Sequence, residues 1–135
     1  MSSLRPLGRD RCLELLASVP LGRVVFTLRA LPAIRPVNHL VDGDTIVIRS
    51  SLATSLASSA TADGAVVVAY EADAIDLVRR TGWTVVVTGA ARLVLDEDRL
   101  ARYERELEPW VDEPMNCVIG IDCDLVTGYE LTPAG

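Results

Sequence analysis

The chain has 135 residues, half of them hydrophobic, which is enough for one domain that buries roughly two-thirds of its unfolded surface without disulfides or metals. No apolar run approaches a membrane span, and the start MSSLRPLGRDRC lacks the apolar stretch of a signal peptide, so the expectation is a single cytoplasmic domain over residues 1–135. A formal net charge of −6 argues against a general nucleic-acid binder.

The first predicted element is a helix from about Arg9 to Ser18, where Cys12, Leu15, Leu16 and Val19 recur at one-sided helical spacing and Pro20 and Gly22 follow as breakers. From Arg23 the chain turns to short β-type runs. GRVVFTL is a strand, RALP a turn and AIRPVNHLV a second strand. Pro36 has no amide hydrogen for a ladder, which places its part of that strand at an edge or a bulge. The DGD turn leads into TIVIRS as the returning strand.

SLATSLASSATADG suits a short helix from about Leu52 to Thr61, with Ser50 or Ser51 as its N-cap. GAVVVAYEA is a β-branched strand, DAIDLVRR a connection without a defined form, and TGWTVVVTGAARLVL a long strand bent near Gly89. Asp96 to Glu108 reads as a helix with Leu100, Tyr103 and Leu107 on its apolar stripe. Pro109 ends it, and Trp110 is expected to pack against the barrel. MNCVIGIDCDLVTGYEL supplies a last strand or pair of strands. About six short strands with close turns favour a mainly β fold, a small antiparallel barrel with peripheral helices.

Three cysteines without CxxC spacing read as small buried hydrophobes, and the single histidine, His39, makes a metal site unexpected. No P-loop, dinucleotide-binding glycine loop or GxSxG elbow is present. Charge is unevenly placed: residues 1–60 carry a balance of +3, residues 61–135 one of −9, and lysine is absent. The basic half contains the best constellation, Arg35, Asn38, Arg49, Ser50, Ser51, Thr54 and Ser55. Strand alternation puts Arg35, Val37 and His39 on one face, with Ile34, Pro36 and Asn38 on the other. An arginine at a strand end, followed by hydroxyls at a helix start, offers a charged fork, hydroxyl donors and helix amides to a small anion. The same residues also read as ordinary helix capping with a surface arginine.

The ordered combination of PVNH, DGD, IRSS and TGW, within GRVVFTLRALPAIRPVNHLVDGDTIVIRSSLATSL and RTGWTVVVTGAARLV, resembles the flavin-binding split-barrel proteins related to pyridoxamine 5′-phosphate oxidase, in particular their small stand-alone members. The likeness runs from about Arg9 to Glu130. It implies a six-stranded split β-barrel that forms a homodimer with FMN in clefts at the subunit interface. Arg35, Pro36, Val37 and Asn38 would lie along the isoalloxazine ring, and Ile48, Arg49, Ser50 and Ser51 along the ribityl chain and phosphate. Thr54 and Ser55 would complete the phosphate site. Trp83 would border the cofactor from the partner or from a neighbouring strand, or else serve as plain core packing. Ser55 stands where such proteins often carry a lysine, which removes one positive charge from the phosphate end. His39 reads as structural rather than catalytic, and no residue is assigned as a catalytic acid or base. The function implied is an FMN-dependent oxidoreductase. The alternatives are a flavin-storage protein without turnover, a deazaflavin-dependent reductase, or a barrel kept only as a dimer scaffold.

Overall fold

The computed structural model describes residues 3–52, 64–110 and 117–133. Strand β1 (Ser3–Pro6) leads into helix α1 (Arg9–Ala17), followed by β2 (Leu21–Leu28), β3 (Leu31–Asp42) and β4 (Thr45–Ser50). After these come β5 (Val66–Asp76), β6 (Thr81–Leu93), helix α2 (Glu97–Glu106), β7 (Cys117–Asp122) and β8 (Leu125–Thr132). The helix expected over Leu52 to Thr61 lies outside the described residues, apart from its first residue.

All described pairings are antiparallel. The order β6-β5-β2-β3-β4-β7 closes on itself through a β6–β7 pairing, which makes a six-stranded barrel. The remaining strands, β8 and β1, extend the sheet outward from the first half of β6. The expected barrel is therefore present, with two additional strands. β1 carried no strand signal of its own; it forms because Ser3 to Pro6 find the edge of β8.

Local chemistry accounts for the joints. β2 and β3 are joined by Arg29 and Ala30, whose φ values of 53° and 64° give the doubly left-handed turn that matches strand twist. Glycine takes the corresponding position in the next hairpin, at Gly43 with φ 58°. DAIDLVRR proves to be half strand: β5 runs to Asp76, and four residues complete the turn. Asp76 stabilises that turn by accepting from the Val78 and Arg79 amides through its side chain.

β6 changes neighbour where a bend was expected. Gly82 to Thr88 pair with β8, whereas Ala91 to Leu93 pair with β7. A Cβ at Gly89 would collide with the Asp122 carbonyl, so the crossing that closes the barrel requires glycine. β3 divides in a similar way, with residues 31–38 paired only to β2 and residues 39–42 only to β4. Pro36 thus lies on an open edge, where its missing amide hydrogen costs nothing.

The alternating inward residues Val24, Phe26, Ile46, Ile48, Val68, Tyr70, Val85 and Val87 fill the barrel, and α1 adds Cys12 and Leu16 to the same core. Arg9 anchors α1 by donating to the Cys123 carbonyl at 2.7 Å. A second, smaller core forms on the outer face, where Tyr103 and Leu107 of α2 meet Val47, Val94 and Val118. Asp42 ties α2 to the end of β3 by accepting from Tyr103 Oη and Arg102. Asp96 sits at the α2 N-cap position without making a side-chain cap.

Candidate functional site

Among the described residues the buried polar side chains are Asn38, His39 and Ser50, and all three lie in the β3–β4 hairpin singled out by the sequence. Buried polar groups need partners, and each of these has them. Asn38 donates from Nδ2 to the Glu108 carbonyl at 2.9 Å and accepts at Oδ1 from the Trp110 amide at 3.0 Å. Ser50 Oγ accepts from the Leu52 amide at 3.1 Å, and the helix that Ser50 or Ser51 was expected to cap lies outside the described residues beyond Leu52. His39 lies between Leu16 and Tyr70 inside the barrel.

β4 alternates Ile46 and Ile48 into the barrel and Val47 and Arg49 outward, toward α2. Arg49 therefore reaches the helix end. Its Nη1 donates to the Leu107 carbonyl at 2.9 Å and to the Glu104 carbonyl at 3.3 Å, satisfying acceptors that a helix C-terminus leaves unpaired. The Arg49 Nε is buried and has no hydrogen-bond partner among the described residues. An unpaired charged donor in a buried place is costly, which marks it as an open position for an acceptor.

These residues surround a narrow cleft of about 80 Å³ formed by Arg35, Pro36, Val37, Asn38, Arg49 and Ser50, closed by Leu21 on one side and by Pro109 and Trp110 on the other. Arg35 lies over the Phe26 ring at 5.8 Å from its centroid, and among the described residues no carboxylate pairs with it. The cleft is thus positively charged at two corners and bordered by apolar residues, of which Trp110 is more than 60% exposed.

Six of the eleven expected site residues come together in this way. Ile48 does not join them: its side chain is fully buried in the barrel core, and its strand is paired on both sides. Ser51 follows Ser50 at a half-buried position. Thr54 and Ser55 lie outside the described residues. Trp83 faces a separate, larger cleft of about 640 Å³, which it lines with Arg5, Arg11, Leu15, Thr81 and Glu130, and the two clefts share no lining residue. Within one chain, then, Trp83 and the hairpin do not meet.

Sequence reading missed Pro109 and Trp110. Trp110 does not pack into the barrel as expected; its amide is held by Asn38 while its side chain stays exposed beside the cleft. No local signal links positions 38 and 110. A carboxylate pair on the outer face also went unread. Arg23 stands opposite both Pro36 and Glu71, and donates to Glu71 at 3.4 Å. Burial, with Asp73 beside it, pushes the Glu71 carboxyl up to about 7 against the opposing pull of Arg23.

No helix among the described residues is long and apolar enough to cross a membrane. Residues 8–129 match the family model described as pyridoxamine 5′-phosphate oxidase. The chain is 54% identical over 127 residues to uncharacterized protein Rv0080 of Mycobacterium tuberculosis, covering 93% of this chain and 84% of that one. It superposes on a proposed pyridoxamine 5′-phosphate oxidase from Corynebacterium glutamicum with a TM-score of 0.79 and 32% identity, covering 97% of this chain and 100% of the other. It superposes on an FAD binding protein from Mycobacterium smegmatis with a TM-score of 0.73 and 34% identity, covering 95% and 98%. The closed barrel, the polar hairpin and these likenesses agree: this chain belongs to the pyridoxamine 5′-phosphate oxidase-related split-barrel family.

Proposed function

We propose that the chain is a homodimeric, FMN-dependent oxidoreductase whose flavin lies in the Arg35–Ser50 cleft, completed by a second copy. The observation that carries this reading is the convergence of Arg35, Arg49, Ser50 and the Pro36–Asn38 backbone on one cleft, with the buried Arg49 Nε facing no partner. An anionic oxygen is the group that satisfies such a donor. The flavin-binding relative named above supports the cofactor class, and FMN is the finer assignment proposed here.

The residues present fit a flavin in part. A cleft of about 80 Å³ is well short of the roughly 300–1,000 Å³ typical of ligand pockets. In this reading one chain supplies one wall and a second copy the other. The exposed Trp110 beside the cleft supports that arrangement, since exposed apolar side chains at a cleft are of the kind that marks association surfaces. Trp83 would then approach the flavin of the partner rather than that of its own chain.

A bound flavin supplies hydride or electron transfer at its ring. The chain's own groups bind and orient it. Arg49 and Ser50 would hold the ribityl and phosphate end, and Arg35 with the Pro36–Asn38 backbone would lie along the ring. The Asn38 side chain is fully engaged with Glu108 and Trp110, so its contribution to the ring would come from the main chain. No acid or base lines the cleft among its described residues, which leaves the redox chemistry to the cofactor.

Titration of the purified protein with FMN, followed by anaerobic addition of a nicotinamide donor, tests this reading. Stoichiometric uptake and rapid bleaching of the flavin are expected. Uptake without reduction by any nicotinamide or deazaflavin donor would instead support storage. Preference for a deazaflavin over FMN would reassign the cofactor.

A further inference from the structure

The chain's one histidine stands in a hydrogen-bonded row that neutral groups cannot fill. His39 Nε2 lies 2.8 Å from the Leu16 carbonyl oxygen and Nδ1 lies 2.6 Å from Tyr70 Oη. Tyr70 Oη is in turn 2.9 Å from the Val37 carbonyl oxygen. The two rings meet edge to face, 5.1 Å apart at 80°. Both ends of the row are carbonyl oxygens, which only accept.

Three contacts need three protons, and a neutral imidazole with a phenol brings two. The Leu16 carbonyl takes the Nε2 proton, which leaves Nδ1 an acceptor. The one phenol proton then serves either Nδ1 or the Val37 carbonyl. An imidazolium brings the third proton: Nδ1–H donates to the phenol oxygen, and the phenol donates to Val37.

We propose that His39 and Tyr70 form a proton-dependent positioning pair, in which uptake of one proton from solvent at His39 Nδ1 transfers the Tyr70 hydrogen bond from the imidazole to the carbonyl of Val37, a residue that lines the cleft. Each element packed on the pair contributes to its balance. From α1 come the Leu16 carbonyl and the Cys12 thiol in the same core. β2 contributes the Gly22 backbone at the phenol and the charge of Arg23, and β5 contributes Glu71. Burial favours the neutral ring, and the Leu16 carbonyl opposes it only in part, so His39 titrates below its ordinary value. Near neutrality the phenol thus leaves the Val37 carbonyl to its ladder partner Gly22, and on acidification it adds a second hydrogen bond there. Its effect on a cleft ligand rests on the flavin reading; the pair itself does not.

Because the chain has a single histidine, selective ¹⁵N-histidine labelling reports this ring alone. The ligand-free protein is titrated from about pH 8 to about pH 5 while the ring nitrogens and the Val37 carbonyl carbon are followed by NMR. The expected result is an Nε2–H tautomer at the alkaline end, then protonation of Nδ1 with a Val37 carbonyl shift at the same midpoint. In Tyr70→Phe the ring still titrates and the Val37 step disappears. An Nδ1–H tautomer at neutral pH, a ring that never protonates while folded, or a Val37 carbonyl that stays still would each overturn the proposal. Should Tyr70→Phe not fold, the wild-type tautomer and the shared midpoint decide alone. FMN affinity is expected to change about threefold to tenfold over the same range, the size of one net hydrogen bond. A flat affinity beside a moving carbonyl would overturn the coupling to the cleft, and absence of FMN binding would remove the flavin reading while leaving the NMR result intact.

Discussion

Arg49 changes meaning between sequence and structure. As a residue type at a strand end it reads as an anion ligand or a surface charge; in the fold it holds the last carbonyls of α2 and keeps one buried donor open. Arg49→Ala is therefore expected to act twice, weakening FMN binding at least tenfold and lowering stability by about 1–3 kcal/mol. Parallel FMN titration and urea unfolding separate the two effects, and a variant that loses neither returns Arg49 to the surface. Two titrating groups act on stability with opposite signs. His39 is lowered, so its contribution is complete above the ordinary histidine value near 6.5 and is lost as pH falls below it. Glu71 is raised to about 7, so its contribution is complete below the ordinary carboxyl value and is lost as pH rises toward 7. Glu71→Gln removes the second slope. Thermal melts of that variant should gain stability between pH 5 and pH 7 more steeply than the wild type, by on the order of 1 kcal/mol after solvent screening. An unchanged pH profile would contradict the account of Glu71.

At the scale of elements, the joints carry the specificity. Gly89 allows β6 to leave β8 and meet β7, because a side chain there meets the Asp122 carbonyl. Gly89→Ala should disrupt barrel closure and cost about 3 kcal/mol or more, measurable as a fall in the urea midpoint. An unperturbed midpoint would mean that closure tolerates a Cβ at this crossing. Docking of α2 depends on Tyr103, which is buried against Val47 and Val118 while its hydroxyl donates to Asp42. Tyr103→Phe keeps the packing and loses the bond, so a cost of about 1–2 kcal/mol is expected in the same assay. Much of this level was legible. The α1 periodicity, both hairpin turns after β2 and β3, the edge position of Pro36 and the bend near Gly89 each follow from local residue chemistry. The strand β1, the extension of β5 to Asp76 and the contact of Asn38 with Trp110 were not, because they depend on partners distant in sequence and carry no local pattern.

For the molecule as a whole, the likeness in motif order identified the family and the barrel, while the geometry adds a small cleft at the hairpin, which the proposed dimer would complete. Six expected residues converge there, Ile48 is withdrawn into the core, and Trp83 opens on another cleft altogether. That separation follows from β6: Trp83 sits near its start, paired with Ala74 and Glu130, far around the barrel from the β3–β4 hairpin. A twofold arrangement of copies reconciles the two clefts, and sedimentation velocity at micromolar concentration should show a dimer. A strict monomer would leave the hairpin cleft too small for a flavin. The central claim is tested most directly by adding FMN to the purified chain and recording the flavin spectrum of the protein fraction after gel filtration. One retained flavin per chain, with retention lost in Arg49→Ala, is the predicted result; a colourless fraction that retains neither FMN nor FAD would contradict it.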